Sequence, residues 1–365
     1  MAPALDPSAP CARLGGLVAS GLVSVSSDLD VLDTEGRWAV LLPYDGAPVL
    51  ARFERWEPGP PDDVAGEWAG PADWHSSMDR DAYVDAVEEV RERIAAGDVY
   101  QANVCRVLAA TLPDPARSDI GGLHALLERG NPAPYSGMLR LPDQGVHVAT
   151  ASPELFLRLV PDPEGARTIA SGPIKGTGRS PEDLSDKDRA ENVMIVDLVR
   201  NDLSRVSQPG TISVPDLLVL ERHPGLVHLV SRVQGRLRDG VSWPDIVEAS
   251  FPPGSVTGAP KIAALRIIDE VEPAPRGPYC GAFGWVDADL GAAELAVSIR
   301  TFWRDGVTLR FGTGAGITWG SDAQREWDET ELKASRLTAL AAGCWPLPTT
   351  PNIEAVENSS MGSPV

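Results

Sequence analysis

Four carboxylates form two pairs with the same spacing. Asp188 and Glu191 are three residues apart, and Glu326 and Glu329 repeat that spacing near the end of the chain. Side chains three residues apart project from one face of a helix. Two helices that each carry such a pair can together hold a hard divalent cation, and Mg²⁺ prefers a few carboxylates with water and substrate oxygens. The spacing therefore indicates a carboxylate site for a metal ion.

The same acid pairs allow a second interpretation. Lys187, Arg189 and Lys333 lie close to them in the sequence. Acidic and basic residues at helical spacing are common on solvated helix faces, where they form ordinary salt bridges. Spacing alone leaves both interpretations open.

Two further residues have the chemistry of a nucleophile and an acid. Lys175 lies between Pro173 and Gly176 on a glycine-rich turn, and a lysine acts as a nucleophile when its surroundings favour the neutral amine. The alternative is an exposed turn lysine. Glu154 opens the apolar stretch 155–160, where a carboxyl can have a raised pKa and act as a general acid. The alternative is an ordinary residue at the start of a strand.

One loop and one arginine could bind an anion. The run Phe-Pro-Pro-Gly-Ser-Val-Thr-Gly-Ala-Pro-Lys at 251–261 leads into a predicted helix, and such a loop presents N–H groups to an anion without being a Walker A loop. Arg300 can bind a carboxylate in bidentate fashion or form a structural ion pair. The run Gly-Thr-Gly-Ala-Gly at 312–316 is followed by Ile317 and lacks a βαβ unit, which excludes a dinucleotide site. Together these residues indicate a metal–carboxylate enzyme acting on a small anion.

Composition narrows the class of protein further. The 365 residues include 32 Lys and Arg against 52 Asp and Glu, a formal charge of −20, which disfavours nucleic acid and anionic membrane as partners. No apolar run approaches the roughly 18 residues of a membrane span. The first residues do not resemble a signal peptide. The four cysteines are widely separated, as expected of reduced thiols. We expect a cytoplasmic protein without zinc.

The elements that position these residues follow from periodicity. Apolar spacing predicts helices at about 79–96, 185–203, 260–270 and 323–342, the first with Gly97 as its C-terminal cap. Strands are predicted at 38–43, 48–53, 99–109, 147–151, 154–160, 281–286, 292–301 and 308–311. Irregular alternation of strands and helices predicts an α+β fold.

The predicted domain organisation has four parts. Residues 1–56 form a short N-terminal strand region of the same fold, and residues 57–74 form a Pro/Gly-rich, exposed linker. Residues 75–345 form the catalytic domain. Residues 346–365 form a disordered tail.

Seven motifs in one order carry a family resemblance. They are Ser-Pro-Glu at 152–154, Pro-Ile-Lys-Gly-Thr at 173–177, Glu-Asn-Val-Met-Ile-Val-Asp-Leu-Val-Arg-Asn-Asp-Leu at 191–203, Gly-Ser-Val-Thr-Gly-Ala-Pro-Lys at 254–261, Arg-Gly-Pro-Tyr-Cys-Gly-Ala at 276–282, Ser-Ile-Arg-Thr at 298–301, and Gly-Ala-Gly-Ile with Glu-Trp-Asp-Glu-Thr within 314–330. Over about residues 75–345 the chain resembles the chorismate-utilising enzymes, which include anthranilate, aminodeoxychorismate, isochorismate and salicylate synthases.

The resemblance implies a fold, a substrate and a cofactor. It implies two large, mostly antiparallel sheets packed face to face with helices outside, and chorismate bound between them. Mg²⁺ would be held by Glu191 and Glu329, with Asp188 and Glu326 in support. Residues implied to bind the substrate are Thr177, His228, Gly254, Ser255, Thr257, Gly258, Tyr279, Arg300, Gly314 and Lys333.

Two positions indicate which branch of the family the chain resembles. Gln101 stands where isochorismate and salicylate synthases carry a lysine that activates water, which implies an amine nucleophile instead. Lys175 stands where anthranilate synthases usually carry alanine, and it resembles the aminodeoxychorismate-forming branch. The implied mechanism is attack by Lys175 on ring carbon 2 while Glu154 protonates the departing 4-hydroxyl. Ammonia then enters at carbon 4 and expels the lysine.

Other members of the family are the alternatives. These are anthranilate synthase component I or another amine-transferring chorismate enzyme, and a chorismate-binding protein without catalysis. The segment before residue 75 is shorter than in relatives and lacks their tryptophan-binding Leu-Leu-Glu-Ser motif. No Gly-x-Cys-x-Gly nucleophile elbow of a glutaminase occurs. We therefore expect ammonia to come from a separate glutamine amidotransferase subunit or from solution.

Overall fold

Strands and helices alternate irregularly along the chain. A computed structural model describes residues 9–60, 64–178, 180–223 and 226–343. Strands β1–β18 of this described part are Cys11–Leu14, Leu17–Ser26, Arg37–Leu42, Val49–Pro58, His75–Ser76, Gln101–Thr111, Tyr135–Leu141, Val146–Ser152, Leu155–Pro161, Arg167–Gly172, Ile174–Gly178, Ser213–His223, Leu226–Arg236, Gly258–Ala259, Ala282–Asp287, Ala292–Val297, Thr301–Asp305 and Thr308–Thr318. Helices α1–α6 are Arg80–Ala96, Ile120–Gly130, Asp186–Ser204, Trp243–Ser250, Lys261–Val271 and Ala323–Ala341.

The strands form two antiparallel sheets joined at a corner. The first sheet has the order β6-β18-β17-β8-β7-β1, with the short β5 and β14 beside β6. The second has the order β2-β4-β3-β15-β16-β9-β10-β13-β12, with β11 also paired to β13. β1 and β2 pair across a tight turn at Gly15 and Gly16, so hydrogen bonding continues from one sheet to the other. The predicted α+β class and its antiparallel sheets are confirmed.

One apolar core lies between the two sheets. Val107, Leu139 and Val148 of the first sheet belong to the same buried cluster as Leu50 and Phe283 of the second. The predicted packing of one sheet against the other follows from this shared core, because the alternation of each strand places every second side chain on the inner face.

The helices cover the outer surfaces of the sheets. α1 and α5 pack on the outer face of β6 and β18, and α2 and α6 on the outer face of β8, β17 and β18. α3 and α4 pack on the second sheet, where α3 contacts β11 and β13. This arrangement brings α3 and α6, the two helices with paired acids, to the same region of the molecule.

The predicted helix boundaries agree with the structure. Asp79 caps α1 by accepting a hydrogen bond from the Ala82 N–H, and Gly97 ends the helix in the left-handed conformation at φ 86°. Tyr83, Val87 and Val90 form its buried face, as their spacing predicts.

Some elements differ from the sequence predictions. Helices α2 and α4 were not predicted. The stretch 292–301 is divided into β16 and β17, since the backbone of Arg300 turns to φ 53° between them. β18 continues to Thr318, well beyond the predicted end at 311. The prediction ended early because three glycines interrupt the apolar pattern of a regular strand.

The segment 57–74 contacts the body of the molecule where it is described. Val64 is buried, and the Trp68 ring N–H donates to the Ala341 carbonyl at the end of α6 (2.8 Å), so this stretch does not form the exposed linker that its composition predicts. The division into domains stays a prediction, and residues 346–365 lie outside the described part. No helix among the described residues is long and apolar enough to cross a membrane. Cys11, Cys105 and Cys280 are buried free thiols, whereas Cys344 is not described.

Candidate active site

Glu154 and Lys175 meet at one residue of the loop before α5. The Lys175 ammonium donates to the Ser255 carbonyl at 3.2 Å, and the Ser255 hydroxyl hydrogen-bonds the Glu154 carboxyl. Glu154 is 5% exposed, which excludes a solvated residue at the start of a strand. Ser255 therefore holds the predicted acid and the predicted nucleophile side by side.

Burial controls the protonation of Glu154. Loss of hydration raises its pKa to about 7, although the Ser255 hydroxyl, the Lys175 charge and the Ile174 N–H each favour the ionised form. A carboxyl with a pKa near neutrality is well matched to donate a proton at physiological pH. The predicted general acid thus has the protonation behaviour that its role requires.

A glycine places Lys175 against helix α3. Gly176 follows it at φ 83°, and a Cβ there would lie 2.9 Å from the Asp188 Cβ. Only glycine combines this backbone conformation with so close an approach. Lys175 is half-buried, and its charge acts on the carboxyls of Glu154, Glu191 and Glu329. The lysine therefore lies among acids contributed by a strand and by two helices.

Glu191 of α3 and Glu326 of α6 converge on a single cation. The Lys187 ammonium is 2.9 Å from Glu326 Oε1 and 3.7 Å from Glu191 Oε1. Burial raises the pKa of Glu191, the Lys175 and Lys187 charges oppose this, and the neighbouring Glu326 and Asp188 add to it. The predicted meeting of the two acid-bearing helices is observed.

The other two acids have different surroundings. Asp188 Oδ2 accepts from the Ser185 N–H (2.8 Å) and from its hydroxyl (2.7 Å), so this carboxylate caps the start of α3. Glu329 is half-exposed and pairs with Lys333 at 2.7 Å. Partial burial acts to raise the pKa of Glu329, but the charge and hydrogen bond of Lys333, helped by Lys187 and Lys175, lower it overall. The four acids thus comprise one helix cap and three carboxylates that form ion pairs.

The donor chemistry of this cluster fits a hard cation. Glu191, Glu326 and Glu329 offer carboxylate oxygens, which Mg²⁺ prefers. Glu191 and Glu326 already share the Lys187 ammonium from two different helices. Among the described residues, no three side chains of His, Cys, Asp or Glu are close enough together to coordinate one metal ion without moving. A divalent ion at this position would be held by Glu191 and Glu329, with Glu326 beside them.

Arg300 presents a guanidinium suited to an anionic ligand. Burial first, and then the charge of Arg336, lowers its pKa. Its backbone is in the left-handed region at φ 53°, a strained conformation for a residue other than glycine. Among described residues no carboxylate pairs with it, so the structural ion pair is not observed. A half-buried cation of this kind favours a carboxylate or phosphate ligand.

The glycine run 312–316 is part of strand β18. Gly312, Gly314 and Gly316 point to the inner face, where a Cβ on Gly312 would lie 2.1 Å from the Tyr279 ring. The Gly314 carbonyl accepts from the Lys333 ammonium at 3.1 Å. The glycines therefore make room for side chains that cross the strand, and they do not form a nucleotide-binding turn.

The remaining predicted substrate residues lie around the loop before α5. Ser255 and Thr257 are buried, and the backbone of Gly258 presses against the Gln101 carbonyl oxygen. Gly254 begins the turn that contains Ser255. The loop is anchored by Lys261, whose ammonium donates to Asp202 Oδ2 (2.7 Å) and to the Ser250 carbonyl (3.0 Å).

His228 and Thr177 lie opposite each other on neighbouring strands. His228 is buried on β13, and the backbone of Thr177 pairs with it in register. The side chain of Thr177 lies outside the described part of the structure. Thr177 follows Lys175 by two residues on β11, and His228 lies on the neighbouring strand β13.

Two features of the site were not predicted. One is that Lys187 bridges two helices, since its sequence position indicates only a local pair with Glu191. Gln101, which the sequence pattern singles out, is fully buried, with no partner for its amide among described residues. The other unpredicted feature is that Ser255 links Glu154 with Lys175, a contact between residues far apart in the chain. No local pattern could have identified these contacts, because each depends on how separate elements pack.

Known proteins share both the sequence and the fold. Residues 51–339 match the family described as chorismate binding enzyme. The chain is 42% identical over 278 residues to anthranilate synthase component 1 1 of Haloarcula marismortui, covering 73% of this chain and 54% of that one. It is 35% identical over 319 residues to aminodeoxychorismate synthase component 1 of Klebsiella aerogenes, covering 84% and 67%.

The chain spans about half to two thirds of the length of these relatives. Among solved structures, the menaquinone-specific isochorismate synthase of Escherichia coli aligns with a TM-score of 0.76 at 20% identity, covering 93% of this chain and 90% of that one. Anthranilate synthase component I of Streptococcus pneumoniae aligns at 0.71 with 23% identity, covering 92% and 91%. These structures share the fold.

Proposed function

Because this chain belongs to the chorismate binding enzyme family, we propose that it aminates chorismate at ring carbon 4 to form 4-amino-4-deoxychorismate, the activity of an aminodeoxychorismate synthase component I. The observation that carries this proposal is the convergence of Lys175 and Glu154 at Ser255. An amine and a carboxyl with a pKa of about 7 are the two groups that a covalent exchange of a hydroxyl for an amine needs.

The exchange proceeds in two balanced steps. The Lys175 amine forms a bond to ring carbon 2 while the bond from carbon 4 to its hydroxyl breaks, and Glu154 gives its proton to the departing oxygen, which leaves as water. Ammonia then bonds to carbon 4, the bond from carbon 2 to Lys175 breaks, and the lysine leaves as a neutral amine. A proton from the new ammonium group returns to Glu154, so the net change is chorismate plus ammonia to product plus water.

The remaining residues hold the substrate. The ring carboxylate is bound by Arg300, Tyr279, Lys333 and the backbone of Gly314. The other carboxylate lies beside the loop 254–258, His228 and Thr177. Glu191 and Glu329 would hold Mg²⁺, with Glu326 and Asp188 supporting them. When bound, Mg²⁺ withdraws charge through the substrate carboxylate and makes the ring more electrophilic.

Ammonia reaches this site from a separate glutamine amidotransferase subunit or from solution. The relatives' names, each with "component 1", support a two-component enzyme. The product would be an intermediate on the route to 4-aminobenzoate and folate, and the buried free thiols support a cytoplasmic location.

Anthranilate synthesis is the second candidate function. It is favoured by the relatives from Haloarcula marismortui and Streptomyces coelicolor, anthranilate synthases at 42% and 40% identity, against 35% and 37% for the aminodeoxychorismate synthases of Klebsiella aerogenes and Escherichia coli. That reaction would place the amine at ring carbon 2 and release pyruvate. It would not need a covalent lysine.

Product identity and Lys175 together separate the two functions. With chorismate, ammonium and Mg²⁺, we expect 4-amino-4-deoxychorismate by mass spectrometry and no pyruvate in a coupled lactate dehydrogenase assay. Lys175→Ala should lower kcat by several orders of magnitude and change the KM for chorismate little, since other groups bind the substrate. Wild-type enzyme quenched without ammonia should carry a mass adduct on the peptide that contains Lys175.

Two results would contradict the proposal. Anthranilate and pyruvate as the main products would assign the second function. An unmodified peptide, together with a Lys175→Ala variant that still aminates carbon 4 at the normal rate, would show that the lysine is not a nucleophile.

A further inference from the structure

Lys187 occupies the middle of the acid cluster. Its ammonium bonds Glu326 Oε1 at 2.9 Å and lies 3.7 Å from Glu191 Oε1 and 3.4 Å from the Ser321 hydroxyl. It joins the start of α3 to the start of α6, which otherwise carry facing negative charges. A single lysine therefore neutralises carboxylates from both helices.

The cluster requires a positive charge when no metal is bound. The Glu326 side chain is 5% exposed and that of Glu191 is 13% exposed. A carboxylate buried to this extent is strongly destabilising without a cation partner. Among the described residues, Lys187 is the one cation within ion-pair distance of Glu326. It supplies the charge that a bound metal ion would otherwise provide.

Lys187 is also able to leave. Its side chain remains 42% exposed, and it lies in the first turn of α3 with open solvent on one side. A lysine ammonium is a compact charge on a flexible four-carbon chain, so it can exchange a carboxylate for water. Mg²⁺ requires ligand oxygens at about 2.1 Å, and an ammonium against those same oxygens both blocks them and repels the ion.

We propose that Lys187 is an internal counter-cation of the metal-free acid cluster and that Mg²⁺ binds by displacing it from Glu191 and Glu326 toward solvent. This inference rests on the proposed Mg²⁺ site and adds a residue that sets its affinity. Lys187 stabilises the metal-free protein and competes with the metal, so its removal makes metal binding tighter while weakening the contact between α3 and α6.

Metal affinity in the absence of chorismate tests the proposal. MgCl₂ is titrated into the protein by isothermal titration calorimetry at constant ionic strength, and Mn²⁺ binding is followed by electron paramagnetic resonance. Lys187→Gln and Lys187→Met should each lower the Kd for Mg²⁺ roughly fivefold or more, because the charge that competes with the ion for the two carboxylates is removed. The metal-free variants should unfold at a lower temperature, and Mg²⁺ should raise their Tm more than that of the wild type.

Two controls separate this effect from a general change in charge. Lys187→Arg keeps the charge and should bind Mg²⁺ like the wild type. Arg189→Gln removes the same charge from an exposed position of the same helix and should leave the Kd unchanged. An unchanged or weaker affinity in both Lys187→Gln and Lys187→Met overturns the proposal, as does absence of Mg²⁺ binding in all variants. Because no turnover is measured, the result is independent of which product the enzyme makes.

Discussion

At the scale of single residues, the proposed catalytic role of Glu154 is coupled to a cost in stability. Burial raises the pKa of its carboxyl from 4.5 to about 7, so a large fraction of this group is protonated at neutral pH. The folded state binds this proton more tightly than the unfolded state. Stability from this group is therefore fully present below about pH 4.5 and decreases as the pH rises through about 7, because ionisation is easier in the unfolded chain.

Glu154→Gln should accordingly change activity and stability in opposite directions. We expect kcat to fall roughly 10²- to 10⁴-fold, the usual contribution of a general acid. We expect the free energy of unfolding at pH 8 to rise by about 1–3 kcal/mol, since each pKa unit corresponds to about 1.4 kcal/mol. Urea denaturation at pH 5 and pH 8 measures the second effect, which should be small at pH 5.

The wild-type pH profile provides a companion measurement for Glu154. Its kcat should decrease above about pH 7 as the acid loses its proton, with neutral ammonia held constant at each pH. A glutamine variant that is less stable than the wild type at pH 8 would show that the carboxyl is ionised and favourably paired in the folded protein.

At the scale of elements, the packing of strand β11 against α3 determines where Lys175 points. Gly176→Ala would place a Cβ 2.9 Å from the Asp188 Cβ at a backbone φ of 83°. We expect kcat to fall at least roughly tenfold, because a displacement of about 1 Å in a catalytic group can cost a hundredfold. Steady-state kinetics with circular dichroism as a check on folding measures the effect.

A matched glycine tests whether the contact, and not backbone strain, causes this loss. Gly97 has a similar φ of 86°, but a Cβ there meets nothing within 4 Å. Gly97→Ala should therefore lower stability by about 1 kcal/mol and leave kcat unchanged. If both variants lose the same fraction of activity, the packing of β11 against α3 does not position Lys175.

At the scale of the whole molecule, the negative net charge contrasts with a few cations that the site offers to an anionic substrate. The chain carries a formal −20, whereas Lys175, Arg300 and Lys333 are the cations proposed to lie nearest the substrate. The distance over which salt screens the interaction between two exposed charges, the Debye length, is about 30 Å at 0.01 M salt and about 8 Å at 0.15 M. Long-range repulsion of an anionic substrate therefore weakens with salt before the short-range contacts do.

Ionic strength should consequently affect capture of the substrate more than its conversion. We expect kcat/KM for chorismate to rise about two- to fivefold from 0.01 M to 0.15 M NaCl with Mg²⁺ saturating, and kcat to stay nearly constant. Initial rates at low and high chorismate measure the two quantities. A decrease of kcat/KM over this range would show that the local cations dominate the field at the entrance.

Much of the fold and of the site could be predicted from local sequence. Periodicity predicts α1, α3, α5 and α6 to within a few residues, because each buries one apolar face. The motif order indicates the family, and the i, i+3 spacing of Glu326 and Glu329 places both acids on one side of α6. These features depend only on residue type and on the geometry of a single element, so they can be predicted from the sequence without knowing how the elements pack.

Contacts between distant elements are decided by the tertiary structure alone. Glu154 has the raised pKa that suits a general acid because it is buried at the start of β9, and Ser255 joins it to Lys175, although none of these three residues is near another in sequence. Asp188 and Glu191 have the same spacing as the second pair, yet one caps a helix and the other meets Lys187 and Glu326. Burial and charge depend on which surfaces pack together, and only the folded chain determines that.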